Sequence, residues 1–209
     1  MPMTRATTLA LLFSLAVLPL AAQSTQGWKI RPDRSTSASD PDGAGEIKFT
    51  ATGKGFHAVN PAAAVYWHPS NMASGSYTLE GTFTLNKPSG HTNYYGLVFG
   101  GSALDGASQN YLYFLVAQDG TFLVKRRVDD AKTENVVAKA ANAAVKMPAA
   151  GGTSTNTLAV RVGGDKVDFV VNGTTVHSLP KAGLKTDGLW GARVNHQLDV
   201  TIADLRVTK

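Results

Sequence analysis

The 209-residue chain contains no cysteine. Disulfide staples, a thiol nucleophile and a thiolate metal site are therefore excluded, and so is anchoring through a lipidated cysteine. Glutamate is nearly as scarce, with only Glu46, Glu80 and Glu134. After Ala22 no run approaches the roughly 20 apolar residues of a membrane span. Nucleotide-binding glycine motifs are absent as well: Gly53-Lys54-Gly55 lies in a turn with no helix after it. No GxSxG elbow is present. The formal charge of +5 is scattered, and only Lys125-Arg126-Arg127 clusters, which argues against a nucleic-acid partner.

What is present begins with a leader. Arg5 gives a short positive region, Thr8 to Leu18 a compact apolar run, and Pro19-Leu20-Ala21-Ala22 small residues for cleavage. This reads as a signal peptide over 1–22, cut near Ala22, although Leu20 stands where a small residue is preferred. The expectation is a secreted or periplasmic chain without membrane insertion, with residues 23–209 as a single domain.

Past the leader, period two dominates. Tyr77, Leu79, Phe83 and Leu85 alternate with Thr78, Glu80, Thr82 and Thr84, the mark of a strand with one wet face. Asp119-Gly120 and Asn172-Gly173 each join two such runs as tight hairpins. About a dozen strands can be read, with one resisting region, Ala138 to Gly152, whose Pro148 and glycines favour a long surface loop over a short helix. Many short strands and no alternating helices imply an all-β antiparallel sandwich or barrel. Around Asp119-Gly120, Leu112, Phe114, Val116, Phe122 and Val124 form a core face. The other face carries Tyr111, Tyr113, Leu115, Leu123, Lys125 and Arg127. Aromatics beside cations there suggest a concave surface that meets a ligand; the alternative is that a loop covers the tyrosines.

The run NTLAVRVGGDKVDFVVNGTTVHSLP, Asn156 to Pro180, resembles the laminin-G-like and concanavalin A-like jelly rolls. From Tyr66 to Val207, the stretches YWHPSN, YYGLVFGG, NYLYFLV, DGTFLVKRR and LWGARVNHQLDV resemble a class of exported bacterial domains of unknown function. That class is similar in fold to the family 16 glycoside hydrolases and the keto-disaccharide hydrolase-like domains. The resemblance implies a two-sheet jelly-roll sandwich and leaves activity open, because the fold hosts lectins, hydrolases and adhesion modules.

A retaining glycosidase needs two carboxyls about 5–5.5 Å apart, and the family 16 enzymes carry them as Glu-x-Asp-x-x-Glu on one strand. None of the three glutamates here begins that motif. His57, His68, His91, His177 and His196 show no HxH or HExxH spacing, so neither metal nor cofactor is expected. Calcium at Asp129-Asp130 is the exception, with an exposed turn the commoner meaning.

The ligand-binding candidates are Trp67, His68, Tyr95, Tyr113, Arg127, Asn195 and His196. They are expected to meet at one rim, where aromatic faces stack on pyranose and amide, imidazole and guanidinium groups fork to hydroxyls. The alternative reading puts Trp67 in the core and His68 at a turn. The functional expectation is a carbohydrate-binding, lectin-like module. Its rivals are a glycoside hydrolase or lyase using His68 and His196, and a structural or adhesion domain with a protein partner. Nothing in the sequence specifies an oligomeric state.

Overall fold

The computed structural model describes residues 24–150 and 152–209, and the expected signal peptide lies outside them. Fourteen strands and no helix occur among the described residues. In chain order they are β1 (Lys29–Asp33), β2 (Lys48–Thr52), β3 (Gly55–Asn60), β4 (Ala63–Ala73), β5 (Tyr77–Lys87), β6 (Tyr94–Ser102) and β7 (Asn110–Ala117). The remainder are β8 (Thr121–Arg127), β9 (Thr133–Ala141), β10 (Ser154–Val162), β11 (Lys166–Val171), β12 (Thr174–Pro180), β13 (Gly188–Val194) and β14 (Leu198–Thr208). They form two antiparallel seven-stranded sheets, ordered β1-β4-β13-β6-β7-β8-β9 and β12-β11-β10-β5-β14-β3-β2. This is an all-β jelly-roll sandwich, as the periodicity and the resemblance imply.

Local chemistry sets the turns. Asn172 and Gly173 adopt φ of 50° and 84°, the left-handed pair that a two-residue type I′ hairpin requires. Between β7 and β8, Val116 pairs with Phe122 and Gly120 takes φ 78°. That loop is one residue longer, with glycine at its left-handed position.

The inner faces of the two sheets supply the core. Phe83, Leu85, Tyr95, Leu97, Phe114 and Phe169 are all fully buried. A polar tie crosses between the sheets: Tyr66 donates to Asn60 Oδ1 at 2.5 Å, and Asn60 Nδ2 donates to the Val194 carbonyl at 3.1 Å. Asn60 is 1% exposed, so those bonds satisfy groups that burial would otherwise penalise.

Three expectations are corrected. First, the turn allowed for at His68 is absent, because YWHPSN lies within a strand. β4 runs through it to Ala73, and Pro69 falls where the β13 register shifts between Leu189 and Gly191. A residue without an N–H fits such a bulge. Second, β3 and β9 were not legible. β9 is an edge strand paired on one side only, in which Thr133, Val136 and Val137 are mixed with Glu, Asn, Lys and Ala without alternation and without an aromatic residue, so the usual mark of a strand is missing. Third, the Ala-rich segment opens as the end of β9, and its loop then drops Val145, 4% exposed, into the core. Asn156, fully buried, holds that loop: Lys146 N donates to Asn156 Oδ1 at 2.8 Å and Asn156 Nδ2 donates to Lys146 O at 3.0 Å.

Candidate functional site

The outer face of the first sheet carries the residues that strand parity separates from the core. Its register sets Val65 beside Arg193, Val98 beside Tyr113, Tyr113 beside Lys125, and Tyr111 beside Arg127. Val65, Trp67, Val98, Tyr111, Tyr113 and Leu123 make a second apolar cluster there, capped by Leu104 from the loop after β6. Arg31 pins that loop by donating to the Gly106 carbonyl at 2.9 Å. The cover that the sequence left as an alternative is thus real at the Trp67 and Tyr111 end.

Beyond Tyr113 the face is polar, and Asp33 organises it. Asp33 Oδ2 accepts from Arg193 at 2.6 Å and also from Arg127. Arg193 in addition donates to the Tyr111 hydroxyl and to Asn195 Oδ1, each at 3.1 Å, and its Cζ lies 5.4 Å from the centroid of the Tyr113 ring. Arg127 donates to the Asp130 carbonyl at 3.1 Å. Burial alone would raise the Asp33 carboxyl, but Arg193 and Arg127 outweigh it and hold the group below the ordinary carboxylate value. For Arg193, burial favours the neutral form, yet Tyr111 and Asp33 around it keep the guanidinium firmly charged. Burial also raises the Tyr113 hydroxyl, so it stays protonated.

Two adjoining depressions share this clamp. One, of about 340 Å³, is floored by Tyr113, Leu115 and Leu123 and edged by Asn93, Lys125 and Asn195. The other, of about 540 Å³, runs past Asp33, Ser35, Asp130 and His196. Arg127, Arg193 and Asn195 line both. The arrangement offers fixed planar donors, amides and a lysine; Tyr113, Leu115 and Leu123 beneath them are buried and back these groups. A further groove of about 590 Å³ reaches the β13–β14 turn at Gln197 and is lined by Glu46, Lys48, Lys87 and Asp199, with no aromatic residue.

The structure brings together four of the seven expected site residues: Tyr113, Arg127, Asn195 and, at the rim, His196. Trp67 faces outward as hoped but lies in the covered apolar cluster at 3% exposure. Tyr95 is corrected: it points into the core, pairing with Val116 in register, and Asn156 Nδ2 donates to its hydroxyl at 3.4 Å. Its neighbour Tyr94 takes the outer face instead.

His68 is corrected too. Ala64 pairs with Val194 and Trp67 with Gly191, so His68 stands four residues, or about 13 Å, along β4 from the His196 end. There it bonds Ser70 Oγ at 2.6 Å and sits edge-on to Trp28. A catalytic pair of His68 and His196 is not assembled. At the calcium candidate, Asp129 Oδ1 accepts from the amides of Ala131 and Lys132, both at 2.8 Å, and Asp130 Oδ1 accepts from Gln109 at 2.7 Å and from Arg31. Both carboxylates already serve protein donors.

Sequence reasoning missed Asp33, Arg193 and Asn93, and placed Lys125 on this face without counting it among the binding residues. The available signal for Arg193 was its parity: a charge alternating with Ala192 and Val194 marks the outer face of a buried strand. Of the three glutamates, Glu80 pairs with Arg206 at 2.6 Å on the second sheet and Glu134 with Lys132 at 2.7 Å beside β9. Neither lies in either depression, and Glu46 lines the separate groove.

Neither a family model nor a curated protein sequence matches the chain. Solved structures do. The carbohydrate binding module CBM66 from Bacillus subtilis matches at a TM-score of 0.62 and 12% identity, over 88% of this chain and 96% of that one. A Bacteroides ovatus GH16 protein in complex with a G4G4G3G product matches at 0.57 and 8%, over 88% and 95%. An alginate lyase A1-II′ variant matches at 0.52 and 12%, over 90% and 99%. At these identities the likeness is one of fold, and it is that of a concanavalin A-like jelly roll.

Proposed function

We propose that this chain binds carbohydrate in the paired depressions on the outer face of its first sheet and does not cleave it. The observation that carries the reading is the clamp in which Asp33 holds Arg127 and Arg193 while Arg193, lying over Tyr113, holds Asn195 in turn. Adjacent sugar hydroxyls are recognised by such fixed, planar donors and acceptors. Groups locked before binding lose little entropy on binding. The same fold in a carbohydrate binding module and in a glucan-bound GH16 protein supports the ligand class.

The reading against cleavage rests on the carboxylates. Asp33 is tied to two guanidiniums, and the other carboxylates lining the depressions are engaged too: Asp40 faces His91 and His196, and Asp130 accepts from Gln109 and Arg31. In this proposal the chain is exported and its leader removed near Ala22, which mass measurement of the secreted protein checks.

The test is a glycan array probed with the purified chain, with product release followed on each hit. Lys125 is half-buried on the wall of the smaller depression, so Lys125→Ala is expected to keep the fold and weaken binding about tenfold, the order expected for one charge-assisted hydrogen bond. Binding with turnover, or binding indifferent to Lys125→Ala and Asn195→Ala, would overturn the reading.

A further inference from the structure

Three segments remote in sequence bring three metal-ligating atoms to one point. Nε2 of His91 and Nε2 of His196 lie 3.1 Å apart. Asp40 Oδ1 is 2.9 Å from the first and 3.2 Å from the second. Donors that share one ion at about 2.0–2.1 Å stand roughly 3.0 Å apart in octahedral and 3.4 Å apart in tetrahedral geometry. The triangle has those dimensions.

Hydrogen bonding alone satisfies it poorly. A proton serves one edge of a triangle, whereas a single cation can sit among all three atoms at once. Asn93 Nδ2 also stands 3.0 Å from His91 Nε2, and an amide N–H donates there only when that nitrogen is in its hydrogen-free form. Behind His196, Nδ1 is 3.4 Å from Asp42 Oδ1, and that oxygen is buried without a hydrogen bond. A carboxylate behind the far nitrogen of an imidazole fixes its tautomer and turns Nε2 toward a metal.

The frame is held from several sides. Ser35 Oγ donates to the Asp40 carbonyl at 2.6 Å, Ser35 N donates to Asp42 Oδ2 at 3.1 Å, and Gln197 Nε2 donates to the Pro41 carbonyl at 3.1 Å. On the His91 side, Gln118 Nε2 donates to the Ser89 carbonyl at 2.9 Å, and Ser89 Oγ donates to the His91 carbonyl at 2.5 Å. His196 rides the β13–β14 turn, where Gln197 takes φ 56° and Asn195 N donates to Tyr94 O at 2.9 Å.

We propose that Asp40, His91 and His196 bind a divalent first-row transition ion such as zinc. Two imidazoles and one carboxylate suit that class, whereas calcium takes six to eight oxygens. His91 and Asp40 keep 42% and 49% of their side chains exposed, so the ion is reachable and its remaining coordination positions stay open. Asp40 borders the smaller depression and His196 the larger, which sets the ion at their common wall.

Isothermal titration of the metal-free chain with zinc chloride tests this. One equivalent should bind, and His91→Ala and Asp40→Asn, both at exposed positions, should each weaken binding at least tenfold. Cobalt should give a visible absorption band that the same variants lose, and melting in EDTA should show them folded like the parent. Absence of heat and of the band, affinity unchanged in both variants, or displacement of zinc by equimolar calcium refutes the site. Zinc is titrated without glycan, so failure here leaves the carbohydrate reading intact, and a silent glycan array leaves this one intact.

Discussion

Arg193 and Asp33 lie 160 positions apart in sequence and 2.6 Å apart in the fold. Their contact joins the edge strand β1 to β13 near the middle of the sheet, and Arg127 closes on the same oxygen from β8. One carboxylate thereby positions two of the three side chains shared by both depressions.

Removing that carboxylate leaves two guanidiniums largely out of water with no counter-charge. Asp33→Asn is therefore expected to cost about 3–5 kcal/mol of folding stability, the range for breaking one side of a buried pair. Chemical denaturation of parent and variant checks it. A loss below about 1 kcal/mol would place the clamp among solvated surface pairs.

The same carboxylate makes the fold acid-sensitive. In the unfolded chain Asp33 titrates near 3.8, and in the folded chain it titrates lower. The folded state thus binds that proton less readily. Its contribution is complete above the unfolded value and is lost as pH falls through 3.8 toward the folded value. Denaturation midpoints followed from about pH 7 to about pH 2 should fall more steeply for the parent than for Asp33→Asn. Parallel curves would assign the acid loss to other carboxylates.

Asn156 is the second structural hub. Its amide serves both the N–H and the carbonyl of Lys146, and Asn172 Nδ2 donates to Asn156 Oδ1 at 2.8 Å. Truncation to alanine takes the partner from those part-buried groups, at about 1 kcal/mol each, the low end for a lost partner. Asn156→Ala should therefore lose roughly 3 kcal/mol or more, and should also release the loop that seats Val145. Hydrogen exchange at the Lys146 amide separates the two effects: it should speed up well beyond the change in global stability.

How far the sequence carried the fold is clearest on the β7–β8 hairpin. Leu112, Phe114 and Val116 against Tyr111, Tyr113 and Leu115 could be sorted by parity, because one strand residue in two faces the core. The Asp-Gly and Asn-Gly turns named their own hairpins. Parity could not choose between Tyr94 and Tyr95, since each face receives one ring, and only the pairing of Tyr95 with Val116 decides. The site was less legible for a related reason. Asp33 reaches its arginines, and His91 reaches His196 over 105 positions, through sheet order. No local spacing encodes such convergence, so a search for His-x-His patterns passes over it. His68 misled because a histidine beside tryptophan looks chemical at short range, while the strand carries it away from the site.

The last prediction separates charge from shape in the clamp. Arg193→Lys keeps a cation but replaces a planar fork with a point charge on a flexible stem. One ammonium cannot hold the geometry that now joins Asp33, Tyr111 and Asn195 at once while lying over Tyr113. Stability should fall by about 1–3 kcal/mol, a melting shift of roughly 3–10 °C for a domain of this size. Glycan affinity should drop at least tenfold, because Asn195 loses the bond that fixes its amide. Chemical shifts of the Asn195 side-chain amide, which should collapse toward solvent-averaged values in the variant, report that loss directly. A lysine variant that melts and binds like the parent would show that the site needs only a positive charge at this position, and Asp33 would then act as a counter-ion rather than as the group that holds the donors in plane.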